Sequence, residues 1–154
     1  MITCSDRSAA GVRDDVSGAV LVTGLKEVGY DIDGAVVVAD EVEAIRTAVR
    51  AAVDSGADLV LTTGGTGLAP TDVTPEAVQP LLERLIPGIA EALRSTSSAA
   101  VPTSILSRGI AGTIGSTVVV TLPGSPGGVR DGLAVLLPVL PHLHTQLAGG
   151  DHPA

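Results

Sequence analysis

The chain has 154 residues, a formal net charge of −8 and 45% hydrophobic residues, drawn almost wholly from Ala, Val, Leu and Ile. That length suits a single domain with a core of its own, and small branched residues suit parallel strands covered by helices on both faces. An acidic chain with one tyrosine and no Phe or Trp excludes a nucleic-acid partner, which demands clustered cations or stacking rings.

In chain order, MITCS (1–5) reads as the end of a strand, with Cys4 following its apolar pattern into the core. As the only cysteine, Cys4 permits neither an internal disulfide nor a thiolate metal site, so a reducing, cytoplasmic compartment is expected. DRSAAGVRDDVSG (6–18) is a polar loop whose Arg7 and Arg13 read as solvated. Ser17 is the expected N-cap of a helix over 19–29, stopped by Gly29. GAVVVAD (34–40) predicts a buried parallel strand. Val42, Ile45, Val49, Ala52 and Val53 then recur at helical spacing, with Arg46 and Arg50 on the wet face and Gly56 closing the helix. ADLVLTT (57–63) is again a buried strand, and it runs into GGTG (64–67).

Thr74-Pro75-Glu76 signals a helix start: a hydroxyl N-cap, a proline in the first turn and an acid near the positive end. A further helix spans 87–98, PTSILS (102–107) and STVVVTLP (116–123) are strand candidates, and PGSPGGVRD (123–131) opens the C-terminal helix. The apolar tail stretch LAVLLPVLPHLH is broken by Pro138 and Pro141, so no membrane span is expected. Its His142 and His144, two residues apart, face different ways on a helix and cannot share a metal. The alternation predicts one doubly wound α/β domain over 1–147, with a frayed tail over 148–154.

Both glycine loops follow a predicted strand, at the sheet edge where ligands bind in open α/β folds. Glycines there let main chain approach an anion, and helix N-termini supply N–H donors. Asp72 and Glu76 are the only ionisable side chains of residues 61–77, so chemistry at this loop falls to backbone, hydroxyls and carboxylate. The only lysine, Lys26, lies elsewhere, so neither loop is a GxxxxGK[ST] phosphate loop.

TTGGTG followed by DVTPEA closely resembles the molybdopterin adenylyltransferase family, the MogA/MoaB-like proteins and gephyrin-type G domains. SDR at 5–7, ADEVEAIR at 39–46, PTSILSRGIAG at 102–112 and LPGSPGGV at 122–129 agree in order and spacing, so the resemblance covers about residues 1–147. It implies a three-layer α/β/α fold with a mostly parallel sheet, a homotrimer, and a partner that inserts the metal. It also implies Mg²⁺-dependent transfer of AMP from ATP to molybdopterin, giving adenylyl-molybdopterin and pyrophosphate. The catalytic and Mg²⁺-holding acids carry over as Asp72 and Asp40. The phosphate- and pterin-cradling loops carry over as Thr63, Gly64, Gly65, Thr66, Gly67, Pro123, Gly124, Ser125 and Pro126. Ser5 and Asp6 match the family's first loop and Ser107 its LSR hydroxyl.

The residues leave other roles open for some of these. Asp72 reads as a metal ligand or a turn-stabilising Asx residue, and Asp40 as a metal ligand or the first residue of a D-E-V-E capping box. Arg108 reads as a partner of a substrate phosphate or of a protein carboxylate. Many relatives carry arginine where Thr71 stands and lysine where Gly127 and Gly128 stand, and the first strand lacks its usual opening residues. The missing cations favour a molybdopterin carrier or scaffold without catalysis as the alternative, and hydrolysis of another nucleotide on the same fold is a third reading.

Overall fold

One mixed sheet organises the chain in a computed structural model, which describes residues 1–32 and 35–150. Its strands are β1 (Ile2–Cys4), β2 (Val36–Val38), β3 (Leu59–Thr63), β4 (Arg84–Leu85), β5 (Ala111–Ile114) and β6 (Thr117–Leu122). They lie in the order β2-β1-β3-β6-β5-β4. Strands β2, β1, β3 and β6 are parallel, while β5 runs antiparallel to both β6 and β4. The helices are α1 (Asp6–Ala9), α2 (Val16–Glu27), α3 (Val42–Asp54), α4 (Thr74–Val78), α5 (Pro87–Ser98), α6 (Pro126–Leu136) and α7 (Leu140–Leu147).

Two cores make the three layers. Leu61, Val118, Val120 and Leu122 on one sheet face pack with Leu21 and Leu25 of α2, Ile89 of α5, Leu136 of α6 and Leu140 of α7. Ile2, Cys4, Val60 and Val119 on the other face pack with Ile45 and Val49 of α3 and Ala77 and Val78 of α4. The period-two alternation along β6, a strand buried throughout, sends successive valines into opposite cores. The α/β/α layers expected from the sequence are thus present. Among the described residues no helix is long and apolar enough to cross a membrane.

Several local expectations change. PTSILS is not a strand: Pro102–Leu106 forms a 3₁₀ turn, and the antiparallel strand is the next segment, Ala111–Ile114. A short apolar run carries no periodicity to separate the two, and Pro102 sets the first turn. The valine run expected to be buried is an edge strand, with Val36 and Val37 exposed at the margin of the helical layers; Gly34 of that run lies outside the described residues. The first polar loop contains the one-turn α1, capped by Ser5, whose Oγ accepts the Ser8 N–H. Helix α2 begins at Val16 under an Asp15 cap, which accepts the Gly18 N–H, and Ser17 instead donates to the Gly124 carbonyl at 2.8 Å. Arg46, expected on the wet face, lays its guanidinium against the Ala77 carbonyl and Glu43. At the C-terminus, Ala148, Gly149 and Gly150 donate back into the last turn of α7, and residues 151–154 lie outside the described residues.

Leu61, 1% exposed on the central β3, reports on the packing of the whole sheet. Leu61→Ala is expected to destabilise the fold by about 2–5 kcal/mol with an unchanged denaturant slope, measured by urea unfolding.

Candidate active site

Parallel β1, β3 and β6 end at one sheet edge, and the two glycine loops leave β3 and β6 there side by side. They are fastened by main chain. The Gly64 N–H donates to the Leu122 carbonyl at 3.1 Å, and the Thr63 hydroxyl donates to the Pro123 carbonyl at 2.7 Å. Gly64 holds φ +102°, and a Cβ there would lie 2.2 Å from the Cys4 carbonyl oxygen, so only glycine fits. Cys4 itself is core, its thiol pushed up to about 11 chiefly by burial.

Thr74 anchors this loop rather than capping a helix. Its hydroxyl donates to the Gly64 carbonyl at 2.9 Å and its N–H to the Gly65 carbonyl at 3.0 Å, while the N-cap position of α4 falls to Val73. Gly65, at φ +63°, sits so close that a Cβ would lie 2.3 Å from the Thr74 hydroxyl. The second loop behaves as read: Ser125 caps α6, accepting the Gly128 N–H at 3.1 Å, with Pro126 in the first turn.

Arg108 finds its partners within the chain. Its N–H donates to the Thr66 carbonyl at 2.8 Å and its Nε to the Gly67 carbonyl at 2.7 Å. The remaining guanidinium nitrogens reach the Asp72 carbonyl and the Glu76 carboxylate. That pairing holds Glu76 below the usual carboxylate range.

The two aspartates flank the GGTG loop. Asp72 closes a tight turn, its N–H donating to the Ala69 carbonyl at 2.9 Å and its carboxylate accepting the Ala69 N–H at 2.8 Å, and the carboxylate faces Gly67. Asp40 makes no capping box, since α3 has no side-chain cap. It forms instead a reciprocal pair with Asp6: Asp40 Oδ2 accepts the Asp6 N–H at 3.0 Å, and Asp6 Oδ1 accepts the Asp40 N–H at 2.9 Å. Asp40 Oδ1 is buried beside Gly65 with no hydrogen-bond partner. Burial raises the Asp40 pKa, and the nearby charges of Asp6 and Asp72 raise it further. An orphaned carboxylate oxygen among other carboxylates fits a hard divalent cation, which takes one or two such oxygens and keeps its waters. Among the described residues no three His, Cys, Asp or Glu side chains form a ready-made cage.

Between the loops, α5, the 102–106 turn and α6 opens a cleft of about 460 Å³. Of the residues singled out in the sequence, Gly65, Thr66, Gly67, Asp72, Ser107, Pro123, Gly124 and Ser125 line it. Thr63 and Gly64 lie beneath the loops as their fastenings and Pro126 sits in the first turn of α6; Asp40 lies beside Gly65 with Asp6 paired to it, and Ser5 caps α1, all three outside the lining. The N–H groups of Gly65, Thr66, Gly67, Gly124 and Ser125 donate to no group among the described residues. Lining residues that sequence reasoning missed are Arg94, Ser97 and Asp131. The signal for the first two was present: Ala90, Leu93, Arg94 and Ser97 share one helical face, so an arginine interrupts an otherwise packing stripe.

Residues 1–142 match the family model described as a probable molybdopterin binding domain. A molybdenum cofactor biosynthesis bifunctional protein of Synechococcus elongatus is 43% identical over 152 residues, covering 99% of this chain and 48% of the relative. The chain thus spans about half the length of such bifunctional relatives. A molybdopterin adenylyltransferase of Helicobacter pylori is 37% identical, covering 97% of this chain and 86% of the relative. Among solved structures, a molybdopterin biosynthesis protein from Mycobacterium abscessus superposes with a TM-score of 0.91 at 48% identity, covering 96% of this chain and 94% of that one.

Gly64→Ala should cost at least about 3 kcal/mol in urea unfolding, from combined backbone strain and collision with Cys4. Asp40 carries the opposite expectation. With its folded pKa raised, the native state keeps a proton that the unfolded chain has released, so stability falls as pH rises through that window. Asp40→Asn does not ionise and escapes the fall. Thermal melts should place the variant level with wild type near about pH 3 and above it near about pH 7.

Proposed function

The chain belongs to the probable molybdopterin-binding domain family, and from that premise we propose that it transfers AMP from ATP to the terminal phosphate of molybdopterin. The observation that carries the reading is the row of five uncommitted main-chain amides on cleft-lining residues of two adjoining loops. Amides of this kind suit phosphates, and two loops side by side suit two phosphate-bearing molecules.

The chemistry asks little of side-chain nucleophiles. A phosphate oxygen of molybdopterin is already anionic; it bonds to the α-phosphorus of ATP as the bond to pyrophosphate breaks. The chain's task is to bring two polyanions together in line and hold them away from water. The loop amides and the Thr66 hydroxyl, which makes no hydrogen bond among the described residues, are assigned to the phosphates. Asp40 and Asp72 are assigned to Mg²⁺, which when bound neutralises charge on the transferring phosphoryl group. Arg108 holds the GGTG loop in shape and stays outside the chemistry. A homotrimer, a metal-insertion partner and a cytoplasmic location complete the proposal; the first two rest on the family resemblance and the third on the single buried thiol of Cys4.

The carrier reading has one observation in its favour. Thr71, Gly127 and Gly128 leave the phosphate loops without a cation of their own.

Asp72→Asn keeps an oxygen for the Ala69 N–H while removing the charge. We expect AMP transfer, followed as pyrophosphate release from labelled ATP, to fall by about 100-fold or more, with molybdopterin affinity within about threefold of wild type. Wild-type protein that binds molybdopterin yet releases no pyrophosphate would establish the carrier instead.

A further inference from the structure

We propose that Asp131, positioned by Ser97, selects the heterocycle in the cleft, accepting the 2-amino and N3–H donors of a 2-amino-4-oxo pterin and rejecting adenine. The inference rests on the reading of the cleft as a molybdopterin site and says which wall holds the pterin ring. That wall is built by α5, α6 and the 102–106 turn, away from the β3 loop.

The two charges on this wall are kept apart from each other. Ser97 Oγ donates to Asp131 Oδ2 at 2.7 Å, and the other carboxylate oxygen has no partner among the described residues. Arg94 Nη1 donates to the carbonyls of Gly109 at 3.2 Å and Ser107 at 3.4 Å, and forms no ion pair among the described residues. An arginine and an aspartate that line one cleft ordinarily neutralise each other. Here each is held by neutral groups instead, which leaves one anionic acceptor and one cationic donor available to a ligand.

The surrounding lining is apolar, with Ala90, Leu93, Val101 and Leu106 forming a slot for a flat ring. The chain's only aromatic ring besides its histidines, Tyr30, lies against His144 and not in this cleft, so no aromatic side chain lines it to select a ring by stacking. Discrimination then falls to the ring's hydrogen-bonding edge. A pterin presents donor, donor, acceptor along its amino, N3–H and 4-oxo groups. A carboxylate matches the two donors, and the Arg94 guanidinium matches the 4-oxo oxygen. Adenine offers an amino donor beside a ring-nitrogen lone pair, which a carboxylate repels. A site built for donors disfavours analogues lacking them, because a half-buried acceptor in the cleft is then left facing a lone pair.

The test has a ligand arm and a protein arm. Wild-type protein is titrated with 6-hydroxymethylpterin and with 6-hydroxymethyllumazine, in which an oxo group replaces the 2-amino group, following pteridine fluorescence. We expect the lumazine to bind at least about tenfold more weakly. In the second arm, Asp131→Asn should weaken molybdopterin by about ten- to a hundred-fold and Ser97→Ala by less, with Mg-ATP affinity unchanged in both. Equal affinity for pterin and lumazine overturns the assignment without needing any variant to fold. Retained molybdopterin affinity in Asp131→Asn, or loss of ATP affinity in its place, overturns it while leaving the AMP-transfer reading standing. Failure of the wild type to bind molybdopterin at all removes both.

Discussion

The structure depends on how closely main chain approaches main chain where β1 and β3 end. No side chain fits between the Cys4 carbonyl and Gly64. Because that gap is closed, Gly64 can donate to Leu122, Thr63 can reach the Pro123 carbonyl, and the two loops become one rim. Thr74 completes the fastening by holding both the Gly64 and Gly65 carbonyls. Carbonyls of the rim are used up in these contacts, while the amides of Gly65, Thr66, Gly67, Gly124 and Ser125 find no acceptor among the described residues. The same fastenings thus supply rigidity and leave the electropositive half of the backbone available, a preorganised anion cradle that needs no lysine.

This arrangement would reconcile an acidic protein with the polyanionic ligands of the proposed function. A net charge of −8 opposes phosphate binding at long range, yet that field is screened over about a Debye length, whereas amide dipoles act at contact. Within the site, carboxylates crowd together: Asp40 is partly buried, keeps one buried oxygen without a partner, and feels Asp6 and Asp72. Such a group costs stability in the folded protein, a cost that a bound cation would offset on the function proposed above. Strain of this kind belongs to function rather than to folding.

Sequence reasoning reached the strand–loop–helix units and both glycine loops because each has a local cause. Gly29 and Gly56 end their helices at positive φ, Ser125-Pro126 caps α6, and the Ile45/Val49 stripe is buried as its spacing implies. It failed where an element's role is set by distant chain. Thr74 looked like a helix cap, but its hydroxyl found a carbonyl ten residues earlier; Ser17 found Gly124, more than a hundred residues away. Asp40 began an apparent capping box and was claimed by Asp6.

Composition, periodicity and loop chemistry by themselves determined the layered α/β class and the sheet edge where the glycine loops meet, since these follow from local steric and hydrophobic preferences, while the family was legible from the resemblance of the TTGGTG and DVTPEA strings. Tertiary structure alone decided the antiparallel β4–β5 pair, the exposure of β2, and which hydroxyls fasten loops rather than face a ligand. It also brought Arg94, Ser97 and Asp131 from two helices onto one cleft wall. Pairing partners are chosen by packing between segments far apart in sequence, and no local pattern encodes that choice.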